Sequence, residues 1–125
     1  MIRQSEAISL ILNELKKLGL NIVLAPLPQN GGVTAEITGS EPKGRRLDIS
    51  HGAEDITVLF LSKFTDQQEA YETLCRIGNF LDSYKGAVAE TVQITSAGIR
   101  SGASLVSNDG GYYVYSMIAR ISINF

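Results

Sequence analysis

His51, Cys75 and Asp55 are the residues of this 125-residue chain whose types together could do covalent chemistry. In a Cys-His-Asp site the imidazole takes the thiol proton and the carboxylate orients the imidazole. The surrounding sequence gives that reading no support. Cys75 lies inside a segment of helical periodicity, beside its apolar stripe, where a buried and inert thiol is the common case. His51 adjoins Gly52 in a polar loop. Asp48, His51, Glu54 and Asp55 come nearest to a metal-ligand cluster. Three carboxylates and an imidazole can bind a divalent ion, but their spacing follows no EF-hand, HExxH or Cys/His pattern. A solvated polar loop leading into a strand accounts for the same residues. Lys43, Arg45 and Arg46 form the only local basic patch, suited to phosphate or to an acidic partner surface. No aromatic is interleaved to stack on a base, and a solvated loop tip is the simpler reading. Gly31-Gly32 and Gly110-Gly111 stand between strand-like runs, so turn geometry explains them better than phosphate cradling. No catalytic, cofactor-binding or metal constellation is expected.

Composition narrows the classes further. The formal net charge is −2, which provides no broad basic footprint for nucleic acid. Hydrophobic residues make up 44% and charged residues 19%, a balance expected of one folded domain and not of a disordered chain. The single cysteine forbids an internal disulfide and fits a reducing cytoplasm. The N-terminal MIRQSEAISLILNELKKLGL has spaced apolar residues and no signal-peptide h-region, and no segment is apolar for long enough to span a bilayer, so no membrane association is expected.

The elements follow from periodicity. Ile8, Ile11, Leu12, Leu15 and Leu18 recur at offsets of three and four, which predicts a helix closed by Lys16, Lys17 and Gly19. Leu20 to Leu27 and Val33 to Thr38 flank a Pro-Gln-Asn-Gly-Gly turn and read as a hairpin, with Pro26 putting its first strand at an edge. Gly39 to Gly52 is polar and reads as a mobile loop, with at most a short strand near Arg46 to Ser50. Asp55 to Phe64 reads as buried on both faces, with Ile56, Val58, Phe60 and Phe64 opposite Leu59 and Leu61, and belongs in the middle of a sheet. A second helix starts at a capping residue, Thr65 or Asp66, carries Tyr71, Leu74, Ile77, Leu81 and Tyr84 as its stripe, and stops at Gly86. Thr91 to Ser96 and Ser104 to Ser107 are short strands, and Asn108-Asp109-Gly110-Gly111 turns into a long strand from Tyr112 to Phe125.

The predicted class is therefore α+β in the order α-β-β-(loop)-β-α-β-β-β, one domain with a mainly antiparallel sheet and two helices packed on one face. Five strands at about 4.8 Å spacing make a sheet about 24 Å wide, and two helices of about 10 Å diameter cover one face of it. The second face carries Leu59, Leu61, Val114 and Ile118, with Arg120 beside them. A neighbouring subunit is the expected cover, which makes these five residues the candidate subunit contact.

The stretch ITVLFLSKFTDQQEAYETLCRIGNFLDSYKG, a strand leading into a capped helix and a Lys-Gly loop, resembles the middle of small phage minor capsid proteins, including the tail terminator (tail completion) proteins of long-tailed phages of Gram-positive bacteria. SLVSNDGGYYVYSMIARISIN is similar to the closing hairpin of the same family. With the first helix and hairpin, the resemblance covers nearly the whole chain, leaving out Gly39 to Gly52. It implies a structural virion protein, assembled in the host cytoplasm, that forms a homo-oligomeric hexameric ring in the tail or neck. Such a ring caps the tail tube protein and joins it to the head–tail connector protein, and passing DNA is touched at most non-specifically. Another neck component on the portal side, a small enzyme using His51, Cys75 or the loop carboxylates, and a DNA-binding accessory protein using Lys43, Arg45 and Arg46 are the alternatives.

Overall fold

The structure, a computed structural model, describes residues 2–20, 22–23, 31–44, 53–83 and 93–124. Helix α1 runs over Ile2–Lys17. It buries Ala7, Ile8, Ile11 and Leu15, the spacing of one helical face. Its end is a Schellman turn: Gly19 adopts φ 87°, its N–H donates to the Lys16 carbonyl at 3.0 Å, and the Leu20 N–H donates to the Leu15 carbonyl at 3.1 Å. This geometry corrects one expectation. The turn carries Leu18 outward, where it is 53% exposed, and buries Leu20 in its place.

Five strands follow the order β1-β2-β3-β5-β4. They are β1 (Ile22–Val23), β2 (Gly32–Gly44), β3 (Ala53–Phe64), β4 (Gln93–Asp109) and β5 (Tyr112–Asn124). All pairings are antiparallel except β1 with β2, which is parallel through Ile22↔Val33 and Val23↔Thr34. The expected first hairpin is thus replaced by a short parallel pair, though β1 does lie at the sheet edge. The expected loop from Gly39 to Gly52 also begins as strand. Gly39 to Gly44 continue β2 and pair with Thr57 to Ala53, with register shifts at Ile37/Gly39 and Pro42/Gly44 accommodating Pro42 and the glycines. Residues 45–52 lie outside the described ones, and with them Arg45, Arg46, Asp48 and His51.

The two short strands expected at Thr91 to Ser96 and Ser104 to Ser107 are one strand, β4, interrupted by four register shifts against β5. Bulges let Ala97–Ala103, with its two glycines, stay paired without regular alternation. The β4–β5 turn has positive φ at both central residues, Gly110 (61°) and Gly111 (82°), with Asp109 paired to Tyr112. That is a type I′ geometry, whose twist matches the flanking strands.

Helix α2 (Gln67–Ser83) starts where Asp66 Oδ1 accepts the Gln68 N–H at 3.0 Å, as its capping residue requires. It buries Ala70, Leu74, Ile77 and Leu81. Gly78 lets the helix approach β4 closely, since a Cβ there would stand 3.2 Å from Ile99 Cγ1. Ser62 adds a buried hydrogen bond from β3 to the Ala70 carbonyl at 2.8 Å. Tyr71, expected in the apolar stripe, is instead 46% exposed. Tyr84 falls outside the described residues.

Both helices belong to a single core with Ile56, Val58 and Phe60 of β3 and Tyr115, Met117, Ala119, Ile121 and Ile123 of β5. Along β3 burial alternates strictly from Ala53 to Leu61, the even-numbered residues being buried and the odd-numbered ones half-buried. β3, expected to be buried on both faces, is thus fully buried on one, because both helices lie on the same side of the sheet. Replacing Phe60 by Ala should cost about 3–5 kcal/mol in urea unfolding of the isolated chain, and Leu59→Ala only about 1 kcal/mol. Equal losses would contradict the one-sided core. Gly110→Val or Gly111→Val should each cost about 1–2 kcal/mol through the left-handed backbone. An unchanged unfolding midpoint for both would rule out the type I′ turn.

Candidate functional site

The catalytic candidates are divided by the sheet itself. Asp55 belongs to the odd-numbered series of β3, on the face away from the helices, where its Oδ1 accepts a 2.6 Å hydrogen bond from Ser122 Oγ. Cys75 is half-buried on α2, which packs on the opposite face. A relay between Cys75 and Asp55 would have to pass through the sheet. Tyr71 lies one turn before Cys75, and a hydrogen bond with the Cys75 thiol pushes its phenol above the ordinary value of 10.0. Charge interaction with that thiol adds to the effect. A phenol held protonated is no base for the thiol. The Tyr71 ring instead meets Tyr115 edge-on at 5.8 Å, and the Tyr115 hydroxyl accepts a 2.9 Å hydrogen bond from Gln67 Nε2.

The proposed metal ligands are similarly split. Glu54 is 4% exposed on the helix-covered side of β3, and its neighbour Asp55 is on the other side. Consecutive strand residues cannot chelate one ion from a single face. Asp48 and His51, the remaining members, lie outside the described residues. Of the basic patch only Lys43 is placed, by its backbone, in β2.

What the structure brings together is the open face. Leu59 of β3 stands directly across from Ile118 of β5, Leu61 across from Ser116, and Val114 across from Lys63. Leu59, Leu61, Val114 and Ile118 are all half-buried, and none of them belongs to the helix-covered core. They are flanked by polar residues: Glu36 on β2, Thr57 and Lys63 on β3, Ser116 and Arg120 on β5. The result is an apolar centre with a hydrophilic margin, the usual anatomy of a protein–protein contact.

Arg120 leads toward the β4 edge. Its cross-strand neighbour is Gly98, which leaves room above the strand. A shallow groove of about 360 Å³ opens there, lined by Ser96, Ala97, Gly98, Ile99, Arg100 and Arg120. Both arginines are exposed, and among the described residues neither has a carboxylate partner. Arg120 was legible as a candidate from the alternation of β5. Arg100 was not, because the segment around it alternates too poorly to read as strand.

No family model matches the chain, and no curated protein matches it. Among solved structures, a chain in one described as "Virion of native gene transfer agent (GTA) particle" has a similar fold, with a TM-score of 0.52 at 10% identity. The match covers 86% of this chain and 81% of that one. At such low identity the likeness is one of fold: an α+β domain of this architecture occurs in a phage-like virion.

Proposed function

We propose that this chain is a structural virion-assembly protein of a bacteriophage or phage-like particle, and within that class a tail terminator. Its copies form a hexameric ring that caps the tail tube and joins it to the head connector. The observation that carries this reading is the open sheet face, where an apolar patch with a polar margin lies opposite a fully helix-covered core. A likeness of fold to a chain of a gene transfer agent virion supports the same class. Cys75 and Asp55, like Glu54 and Asp55, stand on opposite faces of the sheet, which weighs against an enzymatic reading built on those pairs.

Leu59, Leu61, Val114 and Ile118, with Arg120 at their margin, are the surface that assembly covers, and a neighbouring copy is the proposed occupant. Closed rings need head-to-tail contacts, in which two different patches of one chain meet. Covering a half-exposed Leu or Ile contributes on the order of 1 kcal/mol. Truncation of each should then weaken association roughly 5- to 10-fold.

Mass photometry of the pure protein, alone and with purified tail tubes, tests the reading. The expected outcome is a discrete oligomer that binds tube ends in negative-stain images. Leu59→Ser with Ile118→Ser should keep the circular dichroism of the parent and lose the oligomer. A protein that stays monomeric and leaves tube ends bare would refute the proposal.

A further inference from the structure

Four large apolar side chains are about half exposed among the described residues, and three of them gather at one place. Leu105 of β4 is the cross-strand partner of Tyr115 of β5, so its side chain lies on the helix-covered side of the sheet. Tyr71 of α2 joins it through the edge-on contact with the Tyr115 ring. Val106 adjoins them as the extra residue of the bulge between Leu105 and Ser107. Leu18, the fourth, stands apart at the end of α1. Tyr71 and Leu105 thus centre a second apolar patch, on the side of the sheet opposite Leu59 and Ile118.

We infer that the Tyr71–Leu105 patch of one copy docks on the open Leu59–Ile118 face of the next. This rests on the reading of the chain as a ring subunit and names the half of the contact which that reading leaves unassigned. Two features favour a second copy as the occupant. The first is that the chain carries two unlike apolar patches on opposite sides of its sheet. A dyad would set like on like, whereas the meeting of unlike patches propagates from copy to copy and can close.

The second feature is charge complementarity. Around Tyr71, Asp66, Glu69 and Glu72 are exposed, α2 has no cation before Arg76, and none of the three carboxylates is ion-paired among the described residues. Beside Ile118 the exposed charges are Arg120 and its groove neighbour Arg100, also unpaired. The carboxylates of that face, Glu36 and Asp55, are half-buried, and Lys63 lies 4.9 Å from the centre of the Tyr112 ring. An acidic margin around one apolar centre therefore meets a basic margin around the other. Guanidinium groups suit these carboxylates because their planar fork can hold both oxygens. Tyr71 is also a pre-set anchor: its ring rests on Tyr115, whose hydroxyl is held by Gln67, so little side-chain freedom is lost on docking.

The test uses the full chain and sedimentation velocity over a concentration series. Y71Q/L105S should associate about tenfold or more weakly than the parent, and so should E69K/E72K at low salt. L18S, away from the patch, should assemble as the parent does. Circular dichroism confirms that each variant is folded, and L105S alone serves if Y71Q/L105S is not. The decisive arm mixes Y71Q/L105S with Leu59→Ser/Ile118→Ser in equal amounts. Each chain then keeps one sound patch, so the mixture should form a two-chain species and nothing larger. Absence of that species, parental assembly by Y71Q/L105S or E69K/E72K, or an equal loss in L18S would overturn the contact while leaving the ring intact. Parental assembly by Y71Q/L105S with tube ends left bare would assign the patch to the tail tube instead. A parent chain that never associates would overturn both the contact and the ring.

Discussion

The pairing of β3 with β5 is the interaction on which the rest of the molecule depends. It runs from Ala53↔Asn124 to Phe64↔Tyr113 without a register shift, while both flanking pairs are broken by bulges. Because side chains alternate along a strand, this one register decides which residues face the helices. A slip of one position would exchange Phe60 for Leu59 and Met117 for Ile118. Ile56, Val58 and Phe60 then join Ala119, Met117 and Ile121 in a seam on which α1 and α2 both rest. The open face is the unavoidable complement of that seam. Two helices cannot cover both sides of a sheet this wide.

The chain reaches that pairing by bringing two local units together. β2 with β3 and β4 with β5 are each antiparallel pairs of neighbours in sequence, while α2 links β3 to β4. β5 then inserts between β3 and β4, a split β-α-β arrangement. The type I′ turn at Gly110-Gly111 sets the second pair through contacts local in sequence. At the end of the first pair away from its own connection, Gly31 enters β2 with φ 90°, where a Cβ would stand 2.8 Å from the Lys63 carbonyl oxygen. The Gly110-Gly111 turn thus carries register information into a contact whose partners are about sixty residues apart in sequence, as with Ser122 and Asp55 (|i−j| of 67).

Elements with strong period were readable from the sequence, and those whose pairing depended on distant residues were not. β5 alternates so regularly, and β3 carries its larger apolar residues so clearly at every second position, that their faces could be assigned, and Leu59, Leu61, Val114 and Ile118 fall on the second face as expected. The direction of β1 was hidden, because a Pro- and Gly-rich connection suggests a hairpin whether the strands return or cross over. β4 looked like two strands because Gly98, Gly102 and the serines erase its alternation, while hydrogen bonding to β5 keeps it continuous. Gly39 to Gly44 looked like loop for the same reason: partner strand β3 supplies the order that composition withholds.

The open face and the β4 edge, which pairs only with β5 among the described residues, raise the question of how a single copy avoids indiscriminate association. Exposed strand edges template pairing with any other strand, and natural sheets guard them with bulges, charge and small polar residues. β4 has all three: four register shifts, Arg100 at a bulge, and a run of Ser and Gly on its solvent side. Such a strand is a poor template for a ladder, and a second β4 edge meeting it about a dyad near Arg100 would set guanidinium against guanidinium. Specificity then comes from what the edge rejects as much as from what it binds.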